Sequence, residues 1–126
     1  MNTQTISVSS IQPSDILSRP FISIARDFSP YTGARYRTDG PHSGEEFRET
    51  MLAPHFLQAL EQGQKLLINL DGTEGYATSF LEEAFGGLAR THGVQQVLEH
   101  LEFQSLDEPL LTDEIEKYIR DTARRK

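Results

Sequence analysis

Apolar residues alternate with polar ones at Ile6 and Val8, and they cluster at Phe21, Ile22 and Ile24. Both patterns predict strands, over residues 5–9 and 21–26, punctuated by Pro13 and Pro20. A long polar and aromatic stretch follows, residues 26–44. It is turn-rich at Ser29-Pro30, Thr32-Gly33 and Asp39-Gly40-Pro41, with a short strand expected over 34–37. The rhythm then becomes helical. Phe47, Met51, Leu52, Phe56, Leu57 and Leu60 share one face. Ser43 and Glu46 form a capping box at the start, Pro54 should kink or split the helix, and Gly63 should end it.

Residues 65–70, KLLINL, are a continuous apolar run of strand length, which predicts a central strand covered on at least one face. Phe80, Leu81, Ala84, Phe85 and Leu88 mark an amphipathic helix that ends near Gly93. Inside it, Gly86 and Gly87 each cost about 1 kcal/mol relative to alanine. That cost implies close approach by a neighbour, either the sheet beneath or a partner above. Leu101–Gln104 is read as a strand, with the residues before it a loop or the strand's own start. Asp113 and Glu116 are read as the cap of a last helix, with Ile115, Tyr118 and Ile119 inward and a basic end at Arg120, Arg124, Arg125 and Lys126.

The predicted order is strand, strand, short strand, helix, strand, helix, strand, helix. This is an α/β fold: a mixed sheet of four to five strands with right-handed crossovers and about three helices mainly on one face. At 126 residues the chain is expected to be one domain. Residues 1–19 would form a peripheral strand and loop, and the last few residues a disordered end.

Charge narrows the function classes. Twelve basic against nineteen acidic side chains give −7. That balance opposes non-specific binding to nucleic acid and to anionic membranes. There is no cysteine, hence no disulfide, thiolate or Cys-based zinc chemistry. No run has transmembrane length, and the N-terminus has neither the basic start nor the apolar stretch of a signal peptide. A cytoplasmic protein without a membrane partner is the expectation.

The candidate chemistry lies at strand ends. Asp71 to Thr78 is a small, flexible loop at the carboxyl end of the KLLINL strand, where open α/β sheets meet ligands and partners. Ser79 and Glu82 read as a second capping box, which leaves the Thr78 hydroxyl free. Glu82 and Glu83 in the first turn would repel a phosphate docked there. His42, His55, His92 and His100 have no metal-ligand or catalytic spacing, and DGTEG lacks the P-loop lysine. No cofactor and no metal are expected, and no catalysis. Residues 19–39 carry Arg19, Arg26, Arg35 and Arg37 against Asp27 and Asp39, interleaved with Phe28, Tyr31 and Tyr36. Two readings stay open for this loop. Its arginines could pair with the chain's own carboxylates. Alternatively, Arg35, Tyr36 and Arg37 could hold a nucleotide or another anionic small molecule.

The strings FSPYTGARYRTDGPHSGEEFR and LDGTEGYATSFLEEAFGGL resemble the small bacterial STAS-like family, and more distantly the STAS domains of sulfate transporters and anti-sigma-factor antagonists. The resemblance spans roughly residues 20–120. It implies a mixed sheet with helices on one side, no catalysis, and a role in protein–protein switching. In antagonist STAS proteins an Asp-Ser-Ser-Gly motif carries a serine that a partner kinase phosphorylates. That motif aligns with Ala77-Thr78-Ser79-Phe80, so Thr78 takes the phosphoacceptor position and Ser79 the second serine. Ala77 and Phe80 depart from the motif. The expected partner surface joins the Asp71–Ser79 loop with Asp71, Glu74 and Tyr76, the first turns of the 79–92 helix with Phe80 and Glu83, and the arginine-bearing 26–44 loop. The partner class is a histidine-kinase-type ATPase or an anti-sigma-like protein, and a homodimer stays open.

Overall fold

The computed structural model describes residues 19–124. The strand expected over 5–9 lies outside them. Three strands pair in the order β1 (Phe21–Ser23), β2 (Leu66–Asn69), β3 (Leu101–Gln104), and both pairings are parallel. Among the described residues the sheet is therefore three-stranded and all parallel, not mixed with four to five strands.

Residues 34–37 do not join it. The carbonyls of Ala34 and Arg35 accept from the amides of Gly44 and Glu45 at 2.9 and 3.0 Å. The Ser43 hydroxyl accepts from the Glu46 amide at 3.0 Å. The segment thus satisfies the orphan amides of the following helix instead of a strand edge. The Glu46 carboxylate reaches back to the amide of His42, one residue beyond a standard capping box.

That helix, α1, runs over residues 44–62. Its backbone stays helical through a wider turn at Arg48–Leu52 and on into Ala53–Gln62. Pro54 does not split it: the proline stands two residues after the wider turn, in the first turn of the stretch that follows, where its missing N–H is tolerated. Gly63, at φ 65°, ends the helix in the left-handed conformation. A second helix, α2, covers residues 78–92 and also contains a wider turn, Glu82–Gly86, which ends on the first glycine of its Gly-Gly pair. Val94–His100, expected as a loop or the start of the next strand, is a third helix, α3. The last, α4, is Leu111–Asp121. It starts two residues before the predicted cap, so Asp113 and Glu114 lie in its first turn, where acids suit the helix dipole.

Register divides the sheet into two faces. Ile22, Ile68 and Phe103 align across the strands, and Leu66 aligns with Leu101. Ile22, Leu66 and Ile68 are fully buried beneath the helices, and Phe85 packs edge-on against Phe103 at 5.5 Å. The opposite row, Phe21, Leu67 and Glu102, is half-buried or exposed. Helices therefore cover one face, as three consecutive parallel strands with right-handed crossovers require.

The core is rich in rings. Phe47 of α1 stacks on Phe80 of α2 at 5.8 Å, and Phe28 meets both. The two helices start in close contact: a Cβ on Gly44 would overlap the backbone carbonyl of Phe80. Gly86 and Gly87 are both buried inside the domain. Gly86 admits Thr122 and Tyr118 from the C-terminal end, and Gly87 lies against the Arg48 guanidinium. Their neighbours are thus internal.

Candidate functional site

Because the strands are parallel, all their carboxyl ends meet one edge of the sheet; β1 gives way there to a helical turn, Ile24–Phe28, where strand was expected to residue 26, and this turn crowds with the loops 29–34, 71–77 and 105–110. They are tied to one another. The Thr32 hydroxyl donates to the Gly75 carbonyl at 2.7 Å, and the Glu74 amide donates to the Pro30 carbonyl at 2.9 Å. The Asp71 carboxylate accepts from the amides of both Leu106 and Asp107 at 2.8 Å. Asp71 is thus a clamp between two loops, while Glu74 stays exposed. Tyr76 is half-buried against Phe80, and its hydroxyl donates to the Leu70 carbonyl at 2.7 Å.

This last bond fixes where α2 begins. Tyr76 is held down at the strand end, and Ala77, extended at φ −71° and ψ 144°, becomes the cap residue. The Ala77 carbonyl accepts from the Leu81 amide at 3.2 Å. Ser79 therefore falls at the second helical position, inside the helix, and the predicted Ser79 cap does not form; alanine at the cap offers no side-chain acceptor in its place. Thr78 occupies the first helical position and is exposed, and Ser79 beside it is half-buried. Two residues proposed as partner contacts do not present side chains outward. Phe80 is fully buried among the core rings, and Glu83 is 6% exposed.

Glu83 anchors an ion network that the sequence reading missed. Its carboxylate accepts from Arg48 Nη1 at 2.6 Å, and the same nitrogen donates to the Glu83 carbonyl at 2.6 Å. Arg90 lies 3.5 Å and Arg35 3.8 Å from the other carboxylate oxygen. Arg35 also donates to Glu82 at 2.7 Å, a bond that pushes the Arg35 guanidinium pKa further up. Arg37 bonds Glu49 at 3.0 Å, and its amide donates to Glu45. Arg26 pairs with Asp27 and holds that carboxyl below its ordinary range, and Arg19 pairs with Glu102. The arginines of the 19–39 stretch all face carboxylates of the chain itself, which is the first of the two readings offered for that loop. Tyr36 is exposed beside them, and its amide donates to Asp39.

The four histidines also have structural surroundings. His55 and His100 place Nδ1 on helix carbonyls, those of Met51 and Gln96, at 2.7 and 2.9 Å. His42 packs against Phe28 and His92 against Phe56. Among the described residues no cluster of His, Asp or Glu is suited to a metal ion, and no helix is long and apolar enough to cross a membrane.

Comparison with known families decides the kinship. The family described as a STAS-like domain of unknown function (DUF4325) matches residues 43–111, just over half of the chain. The chain belongs to the STAS-like family. It matches no curated protein and no solved structure. The STAS-like match starts at the Ser43 cap and ends at the first residue of α4, so it contains the 71–77 loop, Thr78 and the Arg48–Glu83 pair. The arginine-bearing loop up to His42 lies outside it.

Within this STAS-like edge, Tyr76 supplies a pH-sensitive contact. Burial, reinforced by the Asp71 and Glu108 carboxylates, pushes its phenol up to about 12 from the usual 10.0. A raised folded-state value means that the contribution is intact below pH 10 and is lost as the pH climbs towards 12. Melting curves over that window should show the wild type losing stability relative to Tyr76→Phe, by no more than about 1 kcal/mol per pH unit. A constant difference between the two proteins would mean that the phenol is not held by this environment.

Proposed function

We propose that this STAS-like domain is a non-catalytic interaction module that another protein reads at the entrance of α2. The observation that carries the proposal is the placement of Thr78. It stands exposed at the first position of the helix, on the loop-bearing edge of the sheet. The residues just behind it, Phe80 and Glu83, are locked into the core. The entrance is therefore a rigid support with an outward hydroxyl, which keeps the ordering cost of recognition low. The structural engagement of the histidines and of the arginines at 35 and 37 supports this reading over an enzymatic or nucleotide-binding one.

In this proposal Thr78 is the phosphoacceptor candidate and Ser79 the lesser one. A phosphoryl group on Thr78 would stand one helical turn from Glu82, so it would repel that carboxylate and compete with it for Arg35. The resemblance supplies the partner class, a kinase-type ATPase or anti-sigma-like regulator. The test is a photo-crosslinking residue at position 78, compared with one at exposed Gln95 on α3, in cells that carry the native gene. Position 78 should capture a discrete protein, and Gln95 should not.

A further inference from the structure

We propose that the groove between the 71–77 and 105–110 loops docks a basic amphipathic segment of the partner protein. The proposal deepens the interaction reading and rests on it only for there being a protein partner. Two adjoining crevices share Glu108 and Leu111. The first has Leu70, Tyr76 and Leu111 in its lining and about 80 Å³ of space. Small-molecule sites need roughly 300 Å³ or more, so this first crevice suits a single inserted side chain; the second, about 320 Å³ and lined by Leu110, Leu111, Glu108 and Glu114, has room for more of the segment.

Beside these crevices Leu106 and Leu110 are 76% and 72% exposed. Single exposed leucines are ordinary. These two lie four residues apart on one pinned loop: the Ser105 hydroxyl and the Leu111 amide both donate to the Glu108 carbonyl, at 2.6 and 3.0 Å, and Asp71 holds the amides of Leu106 and Asp107. The leucines are therefore held outward before any partner arrives.

The charge selects the partner. Acids line both crevices, with Glu74 on the first, Glu114 on the second and Glu108 on both, and neither lining contains Lys or Arg. An anionic ligand is repelled. So is a second copy of the chain, which would bring the same rim and a net charge of −7. A segment with a leucine-type stripe flanked by Lys and Arg matches both the apolar and the charged parts of the groove.

The test is fluorescence anisotropy with a labelled synthetic peptide of Leu and Lys patterned as an amphipathic helix, against a scrambled peptide of identical composition. The wild type should bind the patterned peptide at least tenfold more tightly. Leu106→Ser with Leu110→Ser, and separately Glu74→Lys with Glu108→Lys, should each weaken it at least tenfold without moving the melting temperature, since all four side chains are exposed. Thr78→Ala should leave binding unchanged, because Thr78 does not line the groove. Equal binding of the scrambled peptide, or indifference to either pair of substitutions, overturns the proposal. So does a wild-type dimer in sedimentation that Leu110→Ser dissolves, which would assign the groove to a second copy. Peptide binding without capture at position 78 would defeat the interaction reading at α2 and leave the groove standing; capture without peptide binding would do the reverse.

Discussion

Arg48→Ala lowers the stability of the domain by about 3 kcal/mol, the lower end of the range for breaking a buried ion pair. The Glu83 side chain is 7% exposed, and Arg48 gives it both its shortest charge contact and a bond to its carbonyl. Removing the guanidinium leaves a buried carboxylate without its closest counter-charge. Arg90 and Arg35 limit the damage, because they stand at 3.5 and 3.8 Å, but both are more exposed than Arg48 and are screened accordingly. Urea unfolding followed by circular dichroism measures the loss. The pair itself need not stabilise the fold. Arg48→Met combined with Glu83→Leu should recover most of the stability, since exchanging both charges for apolar groups removes their desolvation cost. A loss below about 1 kcal/mol for the single variant would mean that Glu83 is not committed to Arg48.

Phe80→Ala costs about 3–5 kcal/mol, the usual price of emptying a buried phenylalanine site. The ring is fully buried and meets Phe28, Phe47 and Tyr76 at 6.4, 5.8 and 5.9 Å. Collapse around the cavity is restricted, because the backbone of Phe80 already touches Gly44. The melting temperature should fall by on the order of 10 °C. If Phe80 instead faced a partner, its truncation would weaken binding and leave the isolated domain as stable as before. The two outcomes separate a core residue from a contact residue at the position where the antagonist motif has glycine.

These two residues also mark the limits of what the sequence disclosed. The apolar stripe from Phe80 to Leu88 and the KLLINL run state their periods plainly, and each became the element its pattern implied. Ser43 capped as expected because its neighbours are local. Ser79 did not, although its local pattern was as good. The Tyr76 hydroxyl bond to Leu70 sets the chain's entry into the helix, and no periodic pattern announces a contact that closes a loop six residues long. Arg48 and Glu83 are 35 residues apart, and no periodic signal links them. The available clue was the Gly-Gly pair, whose missing side chains make room for the guanidinium and for the C-terminal helix. Val94–His100 is two turns long and begins directly after Gly93, so its Val94, Val97 and Leu98 stripe was too short to stand out against a loop. Leu106 and Leu110, in turn, gave no pattern at all, because an exposed loop imposes no period on its apolar residues.

The central claim is that another protein reads the α2 entrance. Photo-crosslinking from position 78 tests it most directly, with the adduct mapped by mass spectrometry. A discrete adduct at position 78, lost when the crosslinker is moved to Gln95, is the predicted result. No adduct at 78, or the same adducts from both positions, would contradict it.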